Sequence, residues 1–435
     1  MSQHCGYIVK VDKLRKHDNA DRLQIATFFN TDVVVGIDTK VGDIGVYFPS
    51  DLQLGVEFCE VNNLCRKKDE NGNNIGGFLD PEKRNVKPTK LRGVRSDGLY
   101  CPISSLSSFV DISTLSIGDT ITVLNGVEIC RKFIPKSNSR STSNSDTSKN
   151  KRKKNDIKYP VFSLHVDTEQ LVYNISDFNP GDTCYITLKM HGTNAASMCT
   201  IESKNKKRTL FDKILKRPAK QENSWKTVSS SRRVILDDYS GGYYGDNSFR
   251  KKWNDFFDGK LHKGEEVFYE IVGYISDNKP IMADANNKKL NDKEFVKQYG
   301  DTTRFSYGCE NGESDIYVFR MTMTNEDGYT VEYPWELVKL RCEQMGVKHV
   351  PEFDKFIYTT EEDLMNRVNS FVDGADPIGK THIREGVVVR IDNRPIFKAY
   401  KYKNFYFKCI SGIAVQSIED KGLVDEFSDD ILSEM

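Results

Sequence analysis

The sequence predicts an α+β protein: a small β-barrel of short strands first, then an α+β domain built on antiparallel sheets. Three observations carry this. Short apolar runs such as "LQIATFF", "DVVVGI" and "IGVYFP" crowd residues 1–135 and are broken by Gly, Asp and Asn. Closely spaced short strands with little helix between them are the pattern of a small barrel. Residues 136–158, "KSNSRSTSNSDTSKNKRKKNDIK", are almost free of apolar side chains, so burial cannot offset the entropy of ordering them and they read as a flexible basic linker. Beyond the linker, strand patterns alternate with helix patterns, as in an α+β domain with antiparallel sheets.

Length and charge set the outer bounds. The 435 residues allow two or three domains, each large enough for its own core. With 63 basic and 63 acidic residues the net charge is zero, so only local patches can point to a partner. The linker's "KNKRKK" could touch phosphates, although a solvated linker is the simpler reading. No apolar run is long enough for a membrane helix, and "MSQHCGYIVKVDKLRKHD" lacks the apolar core of a signal peptide. The ten cysteines are scattered with no CxxC pair, which disfavours structural zinc and a disulfide scaffold. A reduced, cytoplasmic monomer is expected.

In order, the elements read as follows. In residues 1–135, "KVGDIG" and "ENGNNIGG" punctuate the strands as turns. In residues 159–415, "CYITLKM" and "EVFYEIVGY" read as strands and "NSFRKKWNDFFDG" has helical spacing. "PWELVKLRCEQMG" opens on Pro and closes on Gly, a helix signature. "TTEEDLMNRVNSFVDG" has threonine caps and early acids, a second helix. "REGVVVRID" and "NFYFKCIS" read as strands. Residues 416–435 form an acidic tail, and no internal repeat is visible.

One stretch raises a chemical question. "TLKMHGTNAAS" places Lys189 at the end of an apolar run, where the chain should turn. A protonated lysine is a poor nucleophile, but desolvation or nearby positive charge can free its amine. Downstream, "VSSSRRVIL" sets Arg232 and Arg233 beside a serine-rich turn, and Glu270 sits mid-strand among apolar residues. "DIYVFRMT" puts Phe319 and Arg320 on opposite faces of a strand. Glu385 opens a β-branched run, and Lys401 and Lys403, two apart, share one strand face. Singly these are weak signals: a snorkelling lysine, an edge glutamate, a solvated lysine pair. Their order and spacing are far more specific.

That series resembles the motifs of the covalent nucleotidyltransferases, the superfamily of DNA ligases, RNA ligases and mRNA capping enzymes. Lys189-Met190-His191-Gly192-Thr193-Asn194 gives KxHGxN, which with EGxV and KxKN resembles the RNA ligase 2 family. "KHDNADRLQIATF" and "LRGVRSDGLYCP" resemble the OB-fold tRNA-binding module attached to some aminoacyl-tRNA synthetases, with Asp18 where that module usually has Pro. An OB-like module in front of the catalytic domain resembles the Naegleria- and Deinococcus-type RNA ligases. DNA ligases and capping enzymes usually carry KxDG, and place their OB domain after the paired lysines.

The resemblance implies an ATP-dependent RNA ligase. Lys189 would attack the α-phosphorus of ATP to give lysyl-AMP, pass AMP to an RNA 5′-phosphate, and allow the RNA 3′-hydroxyl to seal the strand. Lys401 and Lys403 would bind phosphates and favour the neutral amine of Lys189 by like-charge repulsion. Glu385 would hold magnesium or manganese. Glu270 would bind the AMP ribose, and Arg232, or Arg233 under a one-residue shift, the ribose or RNA end. Phe319 and Val388 would sandwich adenine. His191, Gly192 and Asn194 would line the phosphate, with Asn194 reaching that phosphate or the RNA 3′ end. A shifted register would promote Lys398 or Lys408 into the lysine pair. In the N-terminal module Lys16, Arg22, Lys87, Lys90, Arg92 and Arg95 could meet RNA phosphates. A DNA ligase or capping guanylyltransferase on the same core, and a non-catalytic RNA-binding protein, are the alternatives. The RNA substrate, whether nicked duplex, broken tRNA loop or DNA-templated end, stays open.

Overall fold

The computed structural model describes residues 4–133 and 158–414, apart from 69, 71–73, 207–214, 216–220, 233, 237–238, 240–243, 245–246 and 291. The basic linker up to residue 157, the acidic tail and Arg233 therefore lie outside the described residues. The chain divides into two compact units. One is Met1–Lys136 with Phe405–Gly412; the other is Ser137–Asn404 with Ile413–Met435.

The N-terminal unit is built of short antiparallel strands. A four-stranded sheet runs in the order Leu99–Pro102, Ile44–Phe48, Gly6–Lys10, Thr120–Ile121. A separate meander pairs Leu14–Lys16, Leu23–Phe28 and Thr31–Gly36. Its tight hairpin turns through Phe29 and Asn30, both with φ near +50° (48° and 57°), the conformation that two-residue hairpin loops demand. Phe29 tolerates this because its ring packs on Tyr7 and Tyr47, at 5.1 and 6.0 Å. The strands surround a core that includes Ile8, Val46, Phe48, Leu54, Phe58 and Leu106. The sheets stay separate, with two to four strands each, so no closed barrel forms among the described residues. Strands of two to six residues, interrupted by the helix Val56–Val61, do not pair round into a ring.

The "HDNADRL" stretch has a visible structural task. His17 is fully buried. Its Nδ1 accepts the Asn19 N–H at 3.1 Å, so Nε2 must carry the proton it donates to the Leu91 carbonyl, also at 3.1 Å. Asn19 Nδ2 donates to the Arg92 carbonyl, and Arg92 returns a bond to the Asn19 carbonyl. These bonds pin the tip of the hairpin Thr89–Leu91/Val94–Ser96. On it, Lys90 and Arg95 stand opposite each other on exposed positions.

The C-terminal unit is dominated by two large, mainly antiparallel sheets. The smaller has five strands in the order Glu169–Gln170, Ala399–Lys403, Gly386–Ile391, Thr183–Lys189, Glu352–Ile357, with only the first pair parallel. Alternation does the sorting. Cys184, Ile186, Val387, Val389 and Ile391 face a core closed by Leu364, Met365 and Val368 of the helix Glu361–Val372. Thr187, Lys189, Gly386, Val388, Lys401 and Lys403 fall on the other parity, one face of three paired strands. The larger, eight-stranded sheet is organised around Gln221–Ser231, Thr193–Asn205, Glu265–Ser276 and Ser314–Thr324.

Helices expected from caps and spacing form at Ser248–Phe257, Trp335–Met345 and Glu361–Val372. Gly346 closes the second in the left-handed region, and the Thr360 side chain caps the third through the Asp363 N–H. The segment "NFYFKCIS", expected as a strand, is a helix, Phe405–Ala414. Its buried side chains, Phe407 and Ile410, lie three apart, a helical rather than a strand period. This helix belongs with the N-terminal unit, not with the domain assigned to residues 159–415. There Lys408 pairs with Asp97, and the Arg95 guanidinium lies 4.9 Å from the Tyr406 ring centre.

Candidate active site

Register brings the expected residues together. Lys189, the last residue of its strand, pairs with Gly386, which pairs on its other side with Lys403. The two lysines thus flank one glycine across three strands. A side chain at Gly386 has no room: its Cβ would stand 2.2 Å from the Tyr402 carbonyl oxygen, on a backbone at φ +152°. The next row is Thr187, Val388 and Lys401.

Glu385, just before that glycine, is the centre of the charge arrangement. Its Oε1 lies 2.8 Å from Lys189 Nζ and 3.3 Å from Lys403 Nζ, and its Oε2 lies 3.7 Å from His191 Nδ1. The Glu385 side chain is 0 % exposed, and those of Lys189 and Lys403 are 15 % and 19 % exposed. Lys398 and Lys408, the alternative members of the lysine pair, are engaged elsewhere, with Asp177 and Asp97.

The turn after Lys189 is held from below. The His191 N–H donates to the Tyr307 hydroxyl at 2.6 Å, and the His191 ring meets Phe305 edge-on at 4.7 Å. His191 is 2 % exposed; it backs Glu385 from the interior. Burial first, then the Asp376 charge, pushes the Tyr307 phenol well above its ordinary pKa, so it remains a neutral partner. Gly192 donates its N–H to Glu270 Oε1 at 3.1 Å, and a Cβ there would meet the Ile271 carbonyl at 2.3 Å. Asn194 sits opposite Glu270 in the ladder, and its Oδ1 is buried without a hydrogen-bond partner. Arg250 of the helix Ser248–Phe257 clamps this strand start through the Asn194 carbonyl and the Thr193 hydroxyl.

Arg232 is tied to Asp167, both Nε and Nη2 lying 2.7 Å from Oδ1. Phe319 is the extra residue of a bulge, since Phe268 pairs with Arg320 and Tyr269 with Val318. The bulge makes strict alternation fail there: Arg320, expected to face away from Phe319, lies 4.4 Å from the Phe268 ring centre and pairs with Glu332. Sequence reasoning missed three groups: Asp167, the aromatic bed of Phe305, Tyr307 and His382, and His165. The signal for Asp167 and His165 was "SLHVD", polar residues at every second position.

Among the described residues, no group of three or more His, Cys, Asp and Glu side chains gathers as a metal cage. Magnesium asks for less, one or two carboxylates with the remaining ligands from water and phosphate. Glu385, buried with two lysine ammonium groups on one oxygen and the His191 ring 3.7 Å from the other, suits that demand.

A buried carboxylate gathers two lysines borne on neighbouring strands of one sheet, an arrangement with the charge to hold phosphate groups. Residues 182–404, from just before the Lys189 strand to Asn404, match the family model described as RNA ligase, and the chain belongs to the RNA ligase family. Its fold is shared by solved structures of Naegleria gruberi RNA ligase. The form with PPi has a TM-score of 0.57 at 16 % identity, covering 94 % of this chain and 98 % of that one. A lysine-to-alanine mutant with ATP and Mn has a TM-score of 0.56 at 16 % identity, covering 93 % and 98 %. A glutamate-to-alanine mutant with AMP and Mn has 0.55 at 16 %, covering 93 % and 97 %. No curated protein matches the chain significantly in sequence. No described helix is long and apolar enough to cross a membrane.

Proposed function

We propose that this RNA ligase uses ATP and works through a covalent AMP on Lys189. The carrying observation is the gathering of Lys189, Lys403 and His191 around the buried carboxylate of Glu385. The complexes of the Naegleria enzyme with ATP or AMP and Mn support the choice of nucleotide and metal.

The Lys189 ammonium first releases its proton, and the neutral amine then attacks the α-phosphorus of ATP in line; the bond to the β-phosphate oxygen breaks and pyrophosphate leaves. The RNA 5′-phosphate then displaces the lysine, giving an RNA 5′-5′ pyrophosphate end. The RNA 3′-oxygen attacks the 5′-phosphorus and AMP leaves. In each step positioning and charge neutralisation carry the rate. Lys401 and Lys403 hold the phosphates. Glu270 takes the ribose, and Arg232 the ribose or RNA end. Phe319 and Val388 enclose adenine. Asn194 meets the RNA 3′ end, whose hydroxyl can donate to its unpartnered Oδ1, or the phosphate, to which its amide NH2 can donate. His191, placed under Glu385, fixes the carboxylate beside the AMP phosphate. Glu385 would hold magnesium or manganese, which supplies charge compensation at the α-phosphate.

The N-terminal unit serves as a module of small sheets that holds structured RNA, with Lys90, Arg92 and Arg95 exposed on one pinned hairpin. The protein acts as a cytoplasmic monomer in RNA repair or nick sealing.

The test is direct. The protein is incubated with α-labelled ATP or GTP, then given single strands, nicked RNA duplexes and RNA/DNA hybrids with magnesium or manganese. The expected result is an acid-labile ATP-derived adduct that Lys189→Ala abolishes, followed by sealing of at least one RNA substrate. An adduct formed with GTP alone, or undiminished sealing by Lys189→Ala, sinks the proposal.

A further inference from the structure

We propose that His165 reads the purine edge of the nucleotide: its Nδ1 hydrogen-bonds the Watson–Crick face of the base enclosed by Phe319. The inference rests on the nucleotide site proposed above and assigns it one more residue.

The segment just after the linker is inverted relative to a core strand. Leu164 and Val166, its apolar residues, are 39 % and 60 % exposed. Ser163, His165 and Asp167, its polar residues, engage side chains of the larger sheet and its edge. The Ser163 hydroxyl donates to Glu266 at 2.9 Å, and Asp167 accepts from Arg232 at 2.7 Å. Between them the His165 ring is walled by aromatic rings, Phe319 at 5.3 Å, Phe268 at 5.7 Å and Phe397 at 6.4 Å. A chain that turns its polar residues inward and leaves its apolar ones in water is built to line a site, because burial alone would favour the reverse.

The chemistry of the ring points to a base. His165 Nδ1 is buried without a hydrogen-bond partner, and such atoms are rare in folded proteins unless a partner binds there. Burial, then the charges of Arg320, Arg232, Lys189 and Lys401, hold the imidazole well below its usual pKa. The ring is therefore neutral. It has no charge to offer a phosphate, for which lysines and arginines stand close by. A neutral imidazole can donate to adenine N1 or accept from the N6 amino group, and its phenylalanine surround suits a flat aromatic ligand.

The test is a cycle between residue and base. Lysyl-nucleotide formation is measured for wild type, His165→Ala and His165→Asn with ATP, 1-deaza-ATP and purine riboside triphosphate. Wild type should lose about tenfold in kcat/KM on the one analogue that lacks the contacted atom, the size of one neutral hydrogen bond. His165→Ala should lose about tenfold on ATP but nothing further on that analogue, and His165→Asn, which keeps a polar atom near Nδ1, should recover part of the loss. Equal penalties for His165→Ala on all three triphosphates would show a structural role and overturn the assignment while leaving the lysyl-AMP reading intact. Absence of a wild-type adduct with ATP would overturn both.

Discussion

Glu385→Gln and Lys189→Met should move stability in different ways, although both remove one charge from the same cluster. Two ammonium groups and one carboxylate sum to one positive charge. Their separations, 2.8 and 3.3 Å, correspond to about 5–6 kcal/mol of attraction per pair at an effective dielectric constant of about 20. Desolvation of the buried carboxylate offsets much of that, and removing one partner of a buried pair costs about 3–5 kcal/mol. Because both lysines keep some exposure, the lower end, about 3 kcal/mol, applies to Glu385→Gln, which leaves two ammoniums facing an amide. Lys189→Met leaves Glu385 neutralised by Lys403, a balanced pair, so its cost should stay within about 1 kcal/mol. At about 2–4 °C per kcal/mol for a unit of this size, Glu385→Gln should lower Tm by roughly 6–12 °C and Lys189→Met by no more than about 4 °C. Thermal unfolding followed by circular dichroism, at low salt and without nucleotide, reads both. If Lys189→Met falls as far as Glu385→Gln, or Glu385→Gln unfolds with the wild type, Glu385 is not the centre of the cluster.

Three further outcomes follow from the same structure. Gly386→Ala, which puts a Cβ 2.2 Å from the Tyr402 carbonyl, should separate the Lys189 and Lys403 strands, costing about 3 kcal/mol or more and abolishing adduct formation; a soluble, active Gly386→Ala contradicts the register. Burial pushes the Glu266 carboxyl up to about 8 from 4.5, so its contribution to stability is complete below about pH 4.5 and is lost as pH rises towards 8. Denaturant unfolding at pH 5 and pH 8.5 should show Glu266→Gln losing less stability over that interval than wild type; parallel losses would mean that Glu266 does not titrate there. Arg92→Ala in the N-terminal hairpin should leave adduct formation unchanged but reduce the slope of log K for RNA against log salt by about one. An unchanged slope removes Arg92 from the RNA path.

The parts of the site that were legible in the sequence are those written in local alternation. "CYITLKM" and "KAYKYK" already place Lys189, Lys401 and Lys403 on strand faces, because period two is a property of neighbouring residues. That Gly386 stands between Lys189 and Lys403 depends on the pairing of distant segments, and no local pattern records it. The bulge at Phe319 defeats parity for the same reason: the inserted residue is defined only against the Glu265–Ser276 strand. His165 escaped notice because exposed Leu164 and Val166 make its surroundings look like the end of a linker. "NFYFKCIS" misled because aromatic residues favour strands in general, whereas Phe407 and Ile410 bury on a helical spacing. The barrel was inferred from strand length and turn density, and those features are shared by any set of small sheets.

The helix Phe405–Ala414 has a consequence for how the molecule comes into being. The N-terminal unit counts Phe405–Gly412 among its own residues, so its complement of side chains is unfinished until residues 405–412 have been synthesised. During synthesis Met1–Lys136 must wait with the partners of Tyr406 and Lys408 unengaged, while the segments of the other unit emerge. This helix is then a closing stitch, and it follows directly on the strand that bears Lys401 and Lys403. A chain cut short before residue 405 would keep the strand Ala399–Lys403 with its lysine pair but lack the stitch, so an unfinished copy has no completed N-terminal unit.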